Sequence, residues 1–105
     1  MSGVPGQLRV ERAATFRARL VGLLGNGKIG ADRALWLQPC RAVHTFGMRF
    51  PIDVVFIDRH GRIARIDECV QPWRLRMCGS AIAVVELAAG AARAHQLTEG
   101  AFWPA

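Results

Sequence analysis

The sequence predicts a mainly β domain of the α+β class, in which a curled antiparallel or mixed sheet forms a small, partly open barrel. Six or seven short stretches are rich in β-branched, aromatic or alternating apolar residues and are separated by Gly, Pro and Asp. Only two stretches have helical spacing, one near each end of the chain. Apolar residues make up 51% of the 105 residues and charged residues 21%, which is typical of one globular domain.

The first predicted strand follows a flexible N-terminus. Residues 1–7 contain two glycines and a proline, and we expect a single globular domain to span residues 8–105. Residues 8–12 alternate apolar and charged side chains, as a half-buried strand does.

One N-terminal helix is predicted next. Thr15 is a favourable N-cap residue. Four large apolar side chains then fall on one helical face: Phe16, Leu20, Leu23 and Leu24. The Gly-Asn-Gly sequence at residues 25–27 accepts the left-handed conformation that ends many helices.

The middle of the chain contains the strongest strand signals. Residues 34–37 predict an apolar strand that ends before Pro39, and residues 43–46 predict a second extended segment that Gly47 interrupts. Residues 52–57 are apolar on both faces, which is expected of a strand at the centre of a sheet.

A hairpin is predicted to follow this central strand. Residues 58–61 have the composition of a turn, so residues 62–70 return as the partner strand, and residues 72–73 mark a bend. Residues 81–88 predict a further apolar strand that only Glu86 interrupts.

The C-terminal part contains one short helix. Gly90 frees the chain for a helix over residues 91–97, and a turn at residues 98–100 leads into a last extended piece at residues 101–103.

The chain is strongly basic. Thirteen arginines and one lysine against eight acids give a net charge of +6 and a pI near 11.0, which favours anionic partners. No run approaches the roughly 20 apolar residues of a membrane span, and the N-terminus has no signal-peptide pattern. We therefore expect a cytoplasmic protein with no membrane partner.

The cysteines do not indicate a metal or disulfide framework. Cys40, Cys69 and Cys78 are odd in number and form no C-x-x-C pair. Cys40 and His44 are four residues apart, but Pro39 and Gly47 favour an extended chain there, which separates the two side chains too far to share a metal. We expect free, mostly buried thiols, no metal and no cofactor.

Motifs spread over roughly residues 8–103 carry a family resemblance: Thr15-Phe16, Arg19-Leu-Val-Gly-Leu-Leu24, the segment from Leu35-Trp36-Leu37 to Cys40, Val43-His44-Thr45-Phe46-Gly47-Met48, Ile52-Asp53-Val-Val-Phe56 and Glu86-Leu87-Ala-Ala-Gly90. The resemblance is to a bacterial and archaeal family catalogued as domain of unknown function 192. It implies a compact β-rich domain, often exported in other members, with no established activity. Where the family commonly has Gly-Asp before its last strand, this chain has Gly100-Ala101.

A group of polar residues lies close to the central strand. His44 can exchange a proton near neutral pH, and two acids in apolar strands, Asp53 and Glu86, are the candidate partners for acid–base chemistry. A buried carboxylate must be paired, protonated or at a functional opening. The alternative is structural: both acids cap backbone groups or pair with arginines such as Arg49 or Arg12.

The leading functional hypothesis is a small non-catalytic binding or accessory domain. A pocket formed by His44, Thr45, Met48 and Asp53 would take a small polar or anionic ligand or a partner's segment. Adjacent strand residues point to opposite faces, so Thr45 beside His44 is not a nucleophile signal. Met48 also suits core or rim packing.

Nucleic-acid binding without sequence specificity is a further alternative. The candidate residues are several arginines and one aromatic stacking platform: Arg17, Arg19, Arg49, Arg74 and Trp73, with Arg12 and Arg76 in addition. No RNP-like motif, helix-turn-helix or zinc module is present in the sequence, and scattered arginines also form solvated surfaces.

Overall fold

The structure, a computed structural model, describes residues 8–12 and 32–104. These residues form seven strands and one short helix: β1 (Arg9–Arg12), β2 (Arg33–Leu37), β3 (Ala42–His44), β4 (Ile52–Asp58), β5 (Ile63–Val70), β6 (Leu75–Met77), β7 (Ala81–Ala88) and α1 (Ala91–Ala94). The predicted helix that starts after Thr15 lies outside the described residues.

Five strands form one mixed sheet in the order β1-β2-β7-β4-β5. Strands β1 and β2 are parallel, and the other three pairs are antiparallel. The apolar runs of β4 and β7 explain their inner positions, because an inner strand is buried on both faces. The predicted mainly β fold and the hairpin of β4 and β5 are confirmed. The described strands do not close into a barrel, since β1 and β5 are the two edges of an open sheet.

Strands β3 and β6 form a separate two-stranded antiparallel ribbon. Ala42 pairs with Met77, Val43 with Arg76 and His44 with Leu75. Val43 is buried against the main sheet, so its neighbours along β3 point outward. The sequence predicted a bend at residues 72–73 but no strand after it.

The main sheet buries apolar side chains on both faces. The ribbon face, which lies under β3 and β6, carries residues of β2, β4 and β7: Leu35, Leu37, Ile52, Val54, Phe56 and Val84. The opposite, helix face is covered by Ala91 and Ala92 and carries another set: Ala34, Val55, Ile57, Ala83, Val85 and Leu87.

The turn of the β4–β5 hairpin is closed by Asp58. Its Oδ1 accepts hydrogen bonds from the backbone N–H groups of Arg62 at 3.0 Å and His60 at 2.8 Å. These bonds favour the charged carboxylate, so they lower the pKa of Asp58.

The C-terminal elements are shorter than predicted. The helix expected over residues 91–97 ends at Ala94, because His95 and Gln96 leave the helical conformation and Gln96 has a positive φ of 59°. Residues 101–103 make an isolated bridge, Arg62 to Phe102, rather than a strand. No helix in the described ranges is long and apolar enough to cross a membrane.

Candidate functional site

Asp53 is fully buried on the helix face of β4 and accepts three backbone hydrogen bonds. Its Oδ1 accepts from Cys69 N at 2.9 Å, and its Oδ2 accepts from Gly90 N at 3.0 Å and Ala92 N at 2.9 Å. Charge-assisted bonds of this kind stabilise a buried carboxylate. Asp53 therefore holds three segments together in the interior of the fold.

Two of the three partners of Asp53, Cys69 and Gly90, are special backbone positions. Cys69 lies in a β-bulge where β5 has one more residue than β4, and its φ is 51°. Gly90 caps α1 with a φ of 89° and has no side chain to accept the first N–H groups of the helix. Asp53 supplies that acceptor from strand β4.

Glu86 is also fully buried but lies on the other face of the sheet. It pairs with Val54 of β4 and Leu35 of β2, both of which belong to the ribbon face. Since Asp53 precedes Val54 in the same strand, its side chain points to the helix face. Asp53 and Glu86 therefore cannot both orient one histidine.

His44 ends β3 with its side chain half-buried on the outer surface of the ribbon. Its Nδ1 accepts a hydrogen bond from Phe46 N at 3.3 Å, and its ring stacks on that of Phe46 with 4.7 Å between ring centroids. The imidazole is thus part of an aromatic stack.

Thr45 is buried and links the loop after β3 to residues 71–74. Its Oγ1 donates to Gln71 O at 2.7 Å and accepts from Arg74 N at 2.9 Å. Its backbone N donates to Arg74 O, and its backbone O accepts from Trp73 N at 3.0 Å and Met48 N at 3.2 Å. Every polar atom of Thr45 therefore serves the local backbone.

Trp73 is exposed and has a left-handed backbone, with a φ of 65°. This conformation is a genuine outlier for a bulky residue and costs on the order of 1 kcal/mol, so the surrounding bonds must hold it in place. Thr45 provides them. The indole stacks on Phe46 at 5.6 Å between centroids and an interplanar angle of 23°.

The outer surface of the ribbon is apolar and open. Four large side chains are exposed there, to 50% for Phe46, 65% for Trp73, 56% for Leu75 and 60% for Met77. Leu75 is directly opposite His44 in the ribbon. We call these five residues the aromatic surface: His44, Phe46, Trp73, Leu75 and Met77. A cluster of this kind on a small domain is typical of a binding region.

The remaining predicted residues are dispersed. Met48 is buried in the core under the ribbon, whereas Arg49 and Arg74 are exposed. Arg17 and Arg19 lie outside the described residues. The four residues of the predicted pocket thus separate into one at the surface, His44, and three in the interior, namely Thr45, Met48 and Asp53.

A small open pocket lies at the other end of the ribbon. Its volume is about 230 Å³, and its polar lining comes from Arg41, Arg59 and Ser80, beside the turn at Gly79. We call it the arginine pocket. Two arginines and a serine are residue types that suit a phosphate or carboxylate group.

The described residues contain neither a disulfide nor a group of metal-binding side chains. The three cysteines, all within the described residues, form no disulfide. The expectation of mostly buried thiols was wrong, because Cys69 is exposed and Cys40 and Cys78 are only partly buried. Among residues 8–12 and 32–104, no three His, Cys, Asp or Glu side chains are grouped to hold a metal ion.

Sequence reasoning missed Phe46, Leu75 and Met77 as surface residues. One signal could have found two of them: residues 75–77 alternate apolar, charged and apolar side chains, which is the pattern of a strand with one exposed face. The stacking of Phe46 on Trp73 has no local signal in the sequence, because these two residues are 27 positions apart.

Two solved structures share this fold. A protein of unknown function from Novosphingobium aromaticivorans DSM 12444 matches with a TM-score of 0.74 and 21% identity over 89% of this chain and 71% of that chain. A putative transcription regulator from Sinorhizobium meliloti 1021 matches with a TM-score of 0.73 and 23% identity over 89% of this chain and 78% of that chain. At these identities the likeness establishes the fold alone.

Family membership rests on the sequence itself. No curated protein matches the chain. The family model described as DUF192, Uncharacterized ACR, COG1430, matches residues 2–102, which is almost the whole chain. The chain therefore belongs to the DUF192 family.

Proposed function

We propose that this protein is a non-catalytic binding domain whose ligand contacts the aromatic surface. The observation that carries the proposal is Trp73: a large exposed side chain in a strained left-handed conformation, within a segment, residues 71–74, that is held by hydrogen bonds with Thr45. Strain of this kind is characteristic of functional positions. The fold keeps the indole of Trp73 exposed although the left-handed backbone is strained and the apolar ring remains in contact with water.

The proposal changes the roles of the predicted pocket residues. His44 contacts ligand, and Thr45 is a positioning residue that holds Trp73. Met48 and Asp53 belong to the interior, where a ligand arriving from solvent does not reach them. The ligand is anionic, because the ribbon and its flanking segments are basic.

Acid–base catalysis by His44 receives less support. The carboxylate of Asp53 already accepts three backbone hydrogen bonds and lies on the helix face, away from the outer surface of the ribbon. Glu86 is buried within the ribbon face between Leu35 and Val54. A general base needs its orienting group within about 3 Å, directly or through one water, and Asp53 does not meet that requirement.

Thermal-shift measurements test the proposal. The anions are short oligonucleotides, a poly-glutamate peptide and small phosphates and carboxylates. The proteins are the wild type, Trp73→Ala and Phe102→Ala, a matched control because Phe102 is an equally exposed aromatic on another segment. We expect at least one anion class to raise the Tm of the wild type and of Phe102→Ala, and to raise the Tm of Trp73→Ala clearly less. The proposal fails if no class stabilises the wild type or if Trp73→Ala responds equally.

A further inference from the structure

The ribbon has two chemically different ends. The aromatic stack of His44, Phe46 and Trp73 lies where β3 ends, and the arginine pocket lies where β3 begins, next to Arg41. Arg41 and His44 are three positions apart along an extended chain, which corresponds to roughly 10 Å. A flat apolar platform and a cationic pocket are therefore neighbours on one short element.

The two chain segments that form the ribbon and its flanks carry charges of one sign. Residues 38–52 and 71–85, which contain the ribbon and its flanks, include four arginines and no Asp or Glu. Arg76 reaches Asp67 of β5 at 3.7 Å. Arg41, Arg49 and Arg74 form no ion pair with any residue in the described ranges. Three arginines of the ribbon and its flanks thus have no acidic partner among the described residues, although Arg74 Nη1 also donates to the backbone oxygens of Pro72 and Trp73.

Trp73 offers a stacking face. One side of the indole packs on Phe46, and the residue is 65% exposed, so the other side faces solvent. An unpaired base stacks on such a ring, whereas bases in a duplex are already stacked on one another. An acidic peptide would satisfy the arginines but has no planar group that requires the indole.

Resting on the proposed function, we propose that the ligand of the aromatic surface is single-stranded nucleic acid. A base stacks on Trp73, Leu75 and Met77 provide apolar contact beside it, and phosphates of the same strand bind Arg74 and the arginine pocket. Recognition is without sequence specificity, since every base has a stacking face and no base-edge contact is required.

Fluorescence anisotropy with labelled oligo(dT) and oligo(U) of about 12 nucleotides tests this proposal. Wild type and Phe102→Ala are expected to bind, and Trp73→Ala to bind roughly 5- to 100-fold more weakly, from the cost of one lost stacked base. Trp73→Phe should be intermediate because it keeps a smaller ring. Binding should quench the tryptophan fluorescence of the wild type but not that of Trp73→Phe.

Salt dependence reports the phosphate contacts separately. Between about 50 mM and about 200 mM salt, the slope of log affinity against log salt should become less steep by roughly 1.4 in an Arg41→Ala, Arg59→Ala double variant, at about 0.7 for each lost contact on a single strand. A Glu68→Gln, Arg93→Gln variant removes an exposed ion pair elsewhere and should leave the slope unchanged.

Each other outcome overturns the inference in a recognisable way. Equal affinity for a hairpin duplex, or binding that is insensitive to Trp73, removes the stacking model. Preference for poly-glutamate with dependence on Trp73 would identify an acidic protein segment as partner, which leaves the binding domain in place and rejects nucleic acid. Absence of binding to any anion at low salt rejects both proposals.

Discussion

Asp53 shows how one side chain joins distant parts of the chain. A carboxylate in the interior is costly unless hydrogen-bond donors surround it, and Asp53 finds three N–H groups that the sheet and helix leave without backbone acceptors. The bulge at Cys69 and the glycine cap of α1 both depend on it. The structural alternative that the sequence left open, an acid capping backbone groups, is the one the structure shows for Asp53.

Asp53→Asn is expected to lower the free energy of unfolding by about 3 kcal/mol, because the amide keeps the shape but replaces one accepting oxygen by a donor facing N–H groups. Denaturant unfolding measures this loss. Asp58→Asn is the matched control, since Asp58 also accepts two backbone N–H groups but in an exposed turn, and its loss should be smaller. Equal stability of Asp53→Asn and the wild type would contradict the assigned role.

At the scale of elements, the ribbon depends on the loop beside it. β3 and β6 contribute three residues each and pair only with one another. Thr45 extends this pairing by bonding to Gln71, Trp73 and Arg74 through both backbone and side chain. The position of Trp73 in the aromatic surface therefore depends on the hydrogen bonds of Thr45.

Thr45→Val should weaken the ribbon end without unfolding the domain. The valine fills the same space but leaves Arg74 N–H and Gln71 C=O without their partner, at a cost of about 1–2 kcal/mol. The indole NMR signal of Trp73 should shift or broaden, while those of Trp36 and Trp103, which contact each other on the helix face, stay in place. Thr45→Ser keeps the hydroxyl and should restore the Trp73 signal. A shift of all three indoles would indicate a global rather than a local effect.

At the scale of the whole molecule, the buried core and the exposed aromatic surface lie in different layers. The inner strands β4 and β7 are buried along almost their whole length, so we expect them to be the most stable part of the described fold. The ribbon lies over one face, where Val43 is buried and Arg76 reaches Asp67 of β5, and it presents His44, Leu75 and Met77 outward. Because most buried apolar side chains belong to the main sheet, we expect the sheet to contribute most of the free energy of folding.

Native-state hydrogen exchange should resolve these layers. Amides of β4 and β7, such as Val55 and Val85, should exchange only through global unfolding, whereas Val43 and Arg76 of the ribbon should exchange through local opening, with protection about 100-fold lower or more. The same experiment on Thr45→Val should lower protection in the ribbon alone. Identical exchange free energies for ribbon and sheet would show that they unfold as one cooperative unit.

Local pattern was sufficient for much of the fold. The apolar run of residues 52–57 predicted a central strand, and the turn beginning at Asp58 predicted its hairpin partner, because both depend on side-chain chemistry within a few residues. Short motifs such as those at residues 43–48 and 52–56 predicted the family. The arginine content predicted an anionic partner, which stays a prediction.

The arrangement of the site was decided only by tertiary structure. Alternation within β4 fixes the face of Asp53 relative to Val54, but the strand order and register decide that Glu86 pairs with Val54 and so lies on the opposite face. In the same way, Phe46 stacks on Trp73 only because Thr45 binds residues 71–74. Pairing across 27 or more residues depends on the free energy of the whole packed chain, and no local spacing in the sequence encodes it.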